Sequence, residues 1–313
     1  MKILVTGVEG FIGSHFARHA IARDNIVIGH TRHTQGKHYE RIADTVPNGN
    51  FNLVCGDITK EISDIMMNVD VVVNFAAKTF VDHSILDPHP FIRSNFLGTY
   101  NLLNQAVKCK VKRFIQVSTD EVYGTMNPGD YAQEQDELRP TNPYSATKAA
   151  ADMLAISYFH TYDLPIIITR CENNYGPYQG SEKAIPTFIR HAMKDRPLPV
   201  YGDGKHRRQW LHVDDHVDAL YFLITRGHAG QIYNVGGNVE KENLSLAEDI
   251  LLLTNSEAGV EFVEDHDIRP GHDRRYAMAT DKINALGWKA KMSYQDGLSE
   301  TVEWYKNNER WLR

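Results

Sequence analysis

The sequence predicts a doubly wound parallel α/β sheet carrying a smaller mixed α/β lobe. Three observations lead there. Short β-branched runs alternate with amphipathic helical stretches through the first half of the chain. Those runs are apolar throughout, as strands buried on both faces are. A loop with glycines at Gly7, Gly10 and Gly13 follows the first run and opens a helical stretch.

In order, the strand-like runs are Ile3–Thr6, Ile26–Ile28, Asn52–Cys55, Val69–Asn74, Arg113–Ser118 and Pro165–Thr169. Helical patterns fall at Phe11–Ala22, Phe91–Lys110 and Tyr144–Tyr162. Strands separated by helices pair in parallel, with helices on both faces of the sheet. After Cys171 the pattern loosens into Pro-, Gly- and charge-rich segments between short helices. These are expected to form a lobe over the carboxyl ends of the strands, where ligands bind in open α/β sheets. The expected division is 1–172 with 208–235 for the sheet domain, and 173–207 with 236–313 for the lobe.

The 313 residues suffice for one large domain or two joined ones, and 42% hydrophobic content supports a sizeable core. A net charge of −6 argues against a nucleic-acid partner, which usually needs a concentrated basic face. Cys55, Cys109 and Cys171 are too few and scattered for a disulfide framework or zinc site, and read as buried reduced thiols. Neither a signal peptide nor a membrane-length apolar run is found, so the expected place of work is the cytoplasm. His30, His33 and His38 read as scattered loop residues rather than metal ligands. His212, Asp214, Asp215 and His216 read as structural bonding partners. No metal is expected.

The glycine loop, Thr6 to Gly13 with Phe11 and Ile12 inside it, has the form of a Rossmann dinucleotide turn. Gly7 permits the tight turn, Gly10 close approach of the pyrophosphate, and Gly13 close packing of helix on sheet. The helix amino terminus then faces the phosphates. Asp57 follows the third strand, where it either bonds adenine or caps a turn; Ile58 accompanies it. The second strand ends Gly29-His30-Thr31-Arg32-His33, without the acid that usually holds the ribose of NAD. Arg32 would suit the 2′-phosphate of NADP, so the choice between the two cofactors stays open.

Tyr144 and Lys148 stand four residues apart on one helical face. A lysine cation stabilises phenolate and is expected to draw the tyrosine pKa down, so that Tyr144 takes the proton of an alcohol as hydride leaves its carbon. Thr119, Asp120 and Glu121 emerge together at the end of the fifth strand. Alcohol oxidation needs no carboxyl pair, but elimination does: one group removes a carbon-bound proton while another protonates the departing hydroxyl.

With these residues in view, the chain resembles the extended short-chain dehydrogenase/reductases, and especially the dTDP-glucose 4,6-dehydratases. The matching segments are TGVEGFIGSH, STDEVYG, NPYSATKAAAD, NNYGPYQ, YGDGKHRRQWLHVDDH, YNVGG and RPGHDRRY, spanning nearly the whole chain. The resemblance implies a tightly bound, recycled NAD(P) held also by Ala76 and Ala77. It implies a nucleotide-diphosphate hexose substrate contacted by Asn173, Lys183, Arg208, Asn243, Arg269 and His272, with Tyr201 stacking on the base. By the same resemblance Tyr144, with Lys148 and Thr119, accepts the proton at carbon 4, Glu121 abstracts that at carbon 5, and Asp120 protonates the hydroxyl leaving carbon 6. The product is a 4-keto-6-deoxy sugar. A homodimer through a four-helix bundle, built from Phe91–Lys110 and Tyr144–Tyr162, is implied as well.

Two departures stand out. The family usually reads Ala-Ala-Glu-Ser-His where this chain reads Ala76-Ala77-Lys78-Thr79-Phe80, and Ser where it has Glu172. Lys78 and Thr79 should approach the substrate, and Lys78 and Glu172 are expected to form an ion pair that tunes which sugar is accepted. Competing readings are a 4-epimerase or uronate decarboxylase on the same scaffold, against which Asp120 speaks, and a non-catalytic dinucleotide sensor.

Overall fold

The computed structural model of the chain describes residues 1–237, 239–264, 270 and 272–313. Its strands are β1 (Lys2–Thr6), β2 (Ile26–Thr31), β3 (Phe51–Cys55), β4 (Val71–Asn74), β5 (Arg113–Thr119), β6 (Ile166–Cys171), β7 (Asn173–Tyr175), β8 (Leu198–Tyr201), β9 (Arg207–His212), β10 (Gln231–Val235), β11 (Val239–Glu242) and β12 (Val260–Val263).

Seven of them form one parallel sheet in the order β10-β6-β5-β4-β1-β2-β3. The order reverses between β1 and β4, which opens a crevice at their carboxyl ends. The β4, β5 and β6 strands are buried end to end apart from Arg113 at the start of β5, as their continuous apolar composition requires. Apolar cores lie on both faces: Phe16, Ala17, Leu220 and Leu223 cover one, Leu102, Leu103, Ala155 and Tyr158 the other. β10 completes the sheet beyond the six strands read from sequence.

The second core, around Tyr175, Phe188, Leu246 and Trp311, belongs to the lobe. There β7 and β9 pair in parallel, β9 and β11 antiparallel, and β8 pairs with β12. This mixed arrangement is the smaller lobe the sequence predicts.

Several local readings need correction. The single helix expected over Phe91–Lys110 is broken: a short turn at His89–Phe91 leads into a π-helical stretch, Ile92–Leu97, before the α-helix Gly98–Lys108. His30 is not a loop residue; it lies in β2, buried, because β2 runs three residues past the apolar stretch that marked it. Cys55 is exposed rather than buried, since β3 is the edge strand, although all three thiols are free. His212, Asp214, Asp215 and His216 are taken up structurally: Asp215 accepts the Lys291 and Met292 amides, and His216 Nδ1 meets Asn174 Oδ1 at 2.8 Å. No helix among the described residues is long and apolar enough to cross a membrane.

Candidate active site

The glycine loop is a backbone device. Gly7 sits at φ +66°, and a Cβ there would come within 2.9 Å of Ala76 on the facing β4 loop. A Cβ on Gly13 would lie 2.4 Å from the Gly7 carbonyl oxygen. Only glycine lets the helix Phe11–Ile21 start this close to the sheet. Gly10 precedes that helix and no side chain caps it. The amide N–H groups of its first turn, Phe11, Ile12 and Gly13 among them, therefore face the crevice unfilled by the protein, which is the arrangement that receives a pyrophosphate. The residues present fit a dinucleotide.

Around the loop, Thr6 Oγ donates to Asn74 Oδ1 and accepts the Ala76 amide at 3.3 Å, fixing Ala76 and Ala77 beside it. Asp57 caps its own turn by accepting the Thr59 amide at 2.9 Å, while its other oxygen lies 3.5 Å from Arg93. Ile58 is buried next to it, and Arg32 is exposed at the rim.

The reactive side is carried by the helix Pro143–Tyr162. Asn142 and Ser145 form a reciprocal capping box and Pro143 occupies its first turn, so the start of the helix, and Tyr144 with it, is fixed. The Tyr144 phenol is buried within hydrogen-bonding reach of the Thr119 hydroxyl. Lys148, one turn on and also buried, donates to the Val117 carbonyl at 2.6 Å. Burial and the nearby charges of Glu121 and Asp120 hold the phenol well above its ordinary value. The expected lowering by Lys148 is thus not met by the protein alone, because its ammonium is directed to a backbone oxygen and the phenolate would be desolvated beside two carboxyls.

Where β5 ends, Thr119 Oγ donates to Asp120 Oδ1 at 3.1 Å and accepts the Glu121 amide, tightening a 3-10 turn over Asp120–Tyr123. Asp120 is almost fully buried, and its Oδ2 has no hydrogen-bond partner among the described residues. Burial, reinforced by the Glu121 charge, pushes its carboxyl up to about 7. Glu121 is also raised by burial, but Lys183 and Arg208 pull against that. Both adjacent carboxyls are therefore biased toward the neutral form, Asp120 with the Glu121 charge adding to burial and Glu121 with the Lys183 and Arg208 cations opposing it.

A cleft opens from Glu121 into the lobe. It is lined by Asn173, Lys183, Tyr201, Arg208, Asn243 and His272, all six of which sequence reasoning assigned to substrate. Arg269 lies outside the described residues. Arg208 is buried, its guanidinium donating to the carbonyls of Arg207, Arg274 and Asp273, meeting His272 Nε2 at 3.1 Å and lying 4.2 Å from the Tyr276 ring centre. Asn173 Nδ2 is buried with no hydrogen-bond partner among the described residues, in a wall that a ligand would face.

Sequence reasoning missed Asn142, Asp273 and Tyr276. The Tyr276 hydroxyl donates to Asp273 at 2.7 Å and stands 3.5 Å from Glu121. Both residues fall inside RPGHDRRY, so the motif contained the signal. The other arginines of these motifs are held in ion pairs: Arg207 with Glu242, Arg274 with Asp203, and Arg275 with Glu240.

The departures resolve differently from expectation. Glu172 is buried and accepts the Gly237 amide at 2.9 Å, and no ion pair among the described residues joins it to Lys78. The Lys78 backbone is clamped on both sides by Asn95. From that segment Phe80, Val81, Asp82 and Ile85 line the cleft, while Lys183 Nζ donates to the Thr79 carbonyl at 3.2 Å.

A parallel sheet with a glycine loop, a Tyr–Lys helix and a cleft over the strand ends defines an extended short-chain dehydrogenase/reductase. Residues 4–301 match the family described as GDP-mannose 4,6 dehydratase, and the chain belongs to that family. It is 45% identical to the low-salt glycan biosynthesis protein Agl12 of Haloferax volcanii, over 97% of this chain and 98% of that one. It is 42% identical to a dTDP-glucose 4,6-dehydratase of Streptomyces niveus, over 99% and 94%. Among solved structures it superposes with TM-score 0.94 on DesIV, a dTDP-glucose 4,6-dehydratase from Streptomyces venezuelae with NAD bound, at 39% identity over 99% of this chain and 98% of that one. A UDP-glucuronic acid 4-epimerase from Bacillus cereus gives TM-score 0.93 at 27% identity, over 98% and 100%.

Proposed function

We propose that the chain converts a nucleotide-diphosphate hexose, a dTDP- or UDP-glucose-like substrate, into the 4-keto-6-deoxy sugar. The observation that carries this reading is the Asp120–Glu121 pair, two buried carboxyls in unlike surroundings, with Glu121 facing the Lys183 and Arg208 cations, beside the Tyr144 phenol. A dinucleotide held by the Gly7–Gly13 loop with Ala76 and Ala77 would supply hydride exchange with the hexose. Tyr144 takes the proton of the carbon 4 hydroxyl, with Thr119 in contact with the phenol and Lys148 one turn behind. The ketone acidifies the proton on carbon 5, which Glu121 removes. Asp120, the neutral acid, protonates the hydroxyl leaving carbon 6, and water departs. Arg208 and Arg269 hold the diphosphate, Asn173, Lys183, Asn243 and His272 the rest of the nucleotide sugar, and Tyr201 stacks on the base. Lys78 and Thr79 do not line the cleft; they precede the lining residue Phe80 in the chain, and the Thr79 carbonyl accepts from Lys183.

The cofactor is NAD(P), retained through each turnover, and NAD is the form favoured by the neighbours solved with it. The sheet domain comprises 1–172 with 213–235, and the lobe 173–212 with 236–313; the boundary expected at 208 moves because β9 pairs with β7 and β11 of the lobe. The working unit is a homodimer in the cytoplasm: Ile92, Leu97, Tyr100, Met153 and Tyr162 are large apolar side chains exposed on two helical segments that pack side by side. A second copy of the same pair would complete a four-helix bundle.

Incubation of the purified protein with dTDP-glucose and UDP-glucose tests the reaction. Mass loss of one water from the nucleotide sugar is expected. An unchanged mass with inverted carbon 4 would instead establish a 4-epimerase, loss of carbon dioxide from a uronate substrate would establish a decarboxylase, and no change at all a binding protein.

A further inference from the structure

A dinucleotide turn of this kind normally ends β2 with a carboxylate that holds the adenosine ribose diol. Here β2 ends in His30 and Thr31, followed by Arg32 and His33. A carboxylate nonetheless lies within charge range of His30, brought by a different segment. Glu9 lies inside the glycine loop, between Gly7 and Gly10, and is only 8% exposed. Its Oε2 is buried with no hydrogen-bond partner among the described residues. His30 is 1% exposed, and its Nε2 is likewise buried without one.

The two residues are fastened together through the backbone. The amides of Gly7 and Val8 both reach the His30 carbonyl, at 2.9 and 3.4 Å. The imidazole lies over Gly56, where a Cβ would come within 2.7 Å of Nε2. Burial holds His30 below its ordinary value, with the charges of Glu9 and Asp57 opposing, so the ring is neutral near pH 7 and keeps one nitrogen free to accept. Leaving a buried polar atom unsatisfied costs about 1–3 kcal/mol. Two such atoms beside one loop mark a place where a polar ligand supplies the missing bonds.

We propose that Glu9, with His30 beside it, binds the adenosine ribose diol of the dinucleotide and thereby selects NAD over NADP. The proposal rests on the glycine loop being a dinucleotide site. A carboxylate accepts from both ribose hydroxyls, whereas a 2′-phosphate would set like charges together where little water screens them. The cations nearby do not reverse this. Arg41 is buried, but it donates to the carbonyls of Tyr178 and Glu9, meets His38 Nδ1 at 3.1 Å and lies over the Trp311 ring. His38 is held below its ordinary value by burial and by Arg41, and Arg32 is exposed at the rim. On this proposal the choice left open at Arg32 falls to NAD.

Two measurements test this. Cofactor released from the native protein and identified by chromatography should be NAD; NADP would overturn the proposal. The stripped protein, titrated with NADH and with NADPH by nicotinamide fluorescence, should bind NADH at least about tenfold more tightly. Glu9→Gln, which keeps size and removes charge, should shrink that preference by about tenfold, and Glu9→Ala should do the same without adding an amide donor. An unchanged ratio in both folded variants, or a preference that moves with Arg32→Ala and not with Glu9, overturns the role of Glu9. Failure of the stripped wild-type protein to bind either dinucleotide would overturn the cofactor site itself, a different outcome from binding with an unaltered ratio.

Discussion

Two buried arginines, Arg170 in the sheet interior and Arg208 in the cleft, are close in kind and opposite in use. Arg170 ends inside β6 and is matched from several sides: Nε donates to Asp152 at 3.0 Å, one terminal nitrogen donates to the Tyr123 hydroxyl at 2.8 Å, and the guanidinium stacks 4.8 Å from that ring. Against burial, the Asp152 carboxylate keeps it above its ordinary value. Arg208 meets carbonyls, one imidazole and one phenol face, and no carboxylate among the described residues pairs with it. A buried charge left without a counter-ion is costly unless something arrives to neutralise it. The contrast separates a cation that holds the fold from one that waits for an anion.

The same contrast distinguishes Asp152 from Asp120. Asp152 has its arginine in direct contact, while Asp120 meets the Thr119 hydroxyl and a neighbouring carboxylate, with Arg208 acting on it through charge alone. The largest effect is therefore expected at Asp120. Asp120→Asn should lower kcat by roughly 10²–10⁴-fold, the usual worth of a positioned acid, with little change in melting temperature. Rapid-quench product analysis should show oxidation at carbon 4 preserved and water loss slowed. A variant with wild-type water loss would remove Asp120 from the chemistry.

Next in size is the arginine pair itself. Arg170→Leu leaves Asp152 buried and uncompensated and should cost about 3–5 kcal/mol of stability by denaturant unfolding. Arg208→Leu should leave unfolding within about 1 kcal/mol yet weaken binding of the free nucleoside diphosphate by about 1.5–3 kcal/mol, the range for bonds to a charged group. Calorimetric titration with dTDP or UDP reads this. If both variants lose stability alike, the distinction between the two arginines fails.

These residues were not equally visible in the sequence. The sheet, the Tyr144–Lys148 pair and the Thr119–Glu121 cluster could be read because each is carried by one contiguous element: a strand period, one helical turn, a strand end. Glu9 sat in plain view within the glycine loop, but only its burial without a partner beside His30 gives it meaning, and that depends on where β2 ends. Asp273 and Tyr276 reach Glu121 across 152 and 155 positions of chain, as the numbering shows, and no local pattern encodes such a meeting. The π-helical stretch at Ile92–Leu97 was hidden for a related reason, since its apolar spacing resembles that of an α-helix. The Lys78–Glu172 pair was inferred from two departures in sequence, and proximity in a motif did not translate into contact: the Gly237 amide takes Glu172 instead.

The smallest expected effect is on pH dependence, and its sign follows from the Asp120 carboxyl. Its value in the folded chain, about 7, lies above the ordinary carboxylate value of 3.8. The proton needed for the departing hydroxyl is therefore in place below pH 7 and lost above it, so water elimination should fall by about tenfold for each pH unit beyond 7, until another step limits. Stability carries the same sign: the folded state holds a proton that the unfolded chain releases, so this contribution is complete below pH about 4 and declines as pH rises through 7. Glu121 works in the reverse sense, since it must be ionised to remove the carbon 5 proton, and burial raises it as well. An alkaline limb near 7 is expected in the kcat profile from initial rates of water loss. In Asp120→Asn, whose amide does not titrate, the residual rate should lose that limb. An alkaline limb that persists in that variant would belong to another group, and Asp120 would then be no more than a buried neighbour of the base.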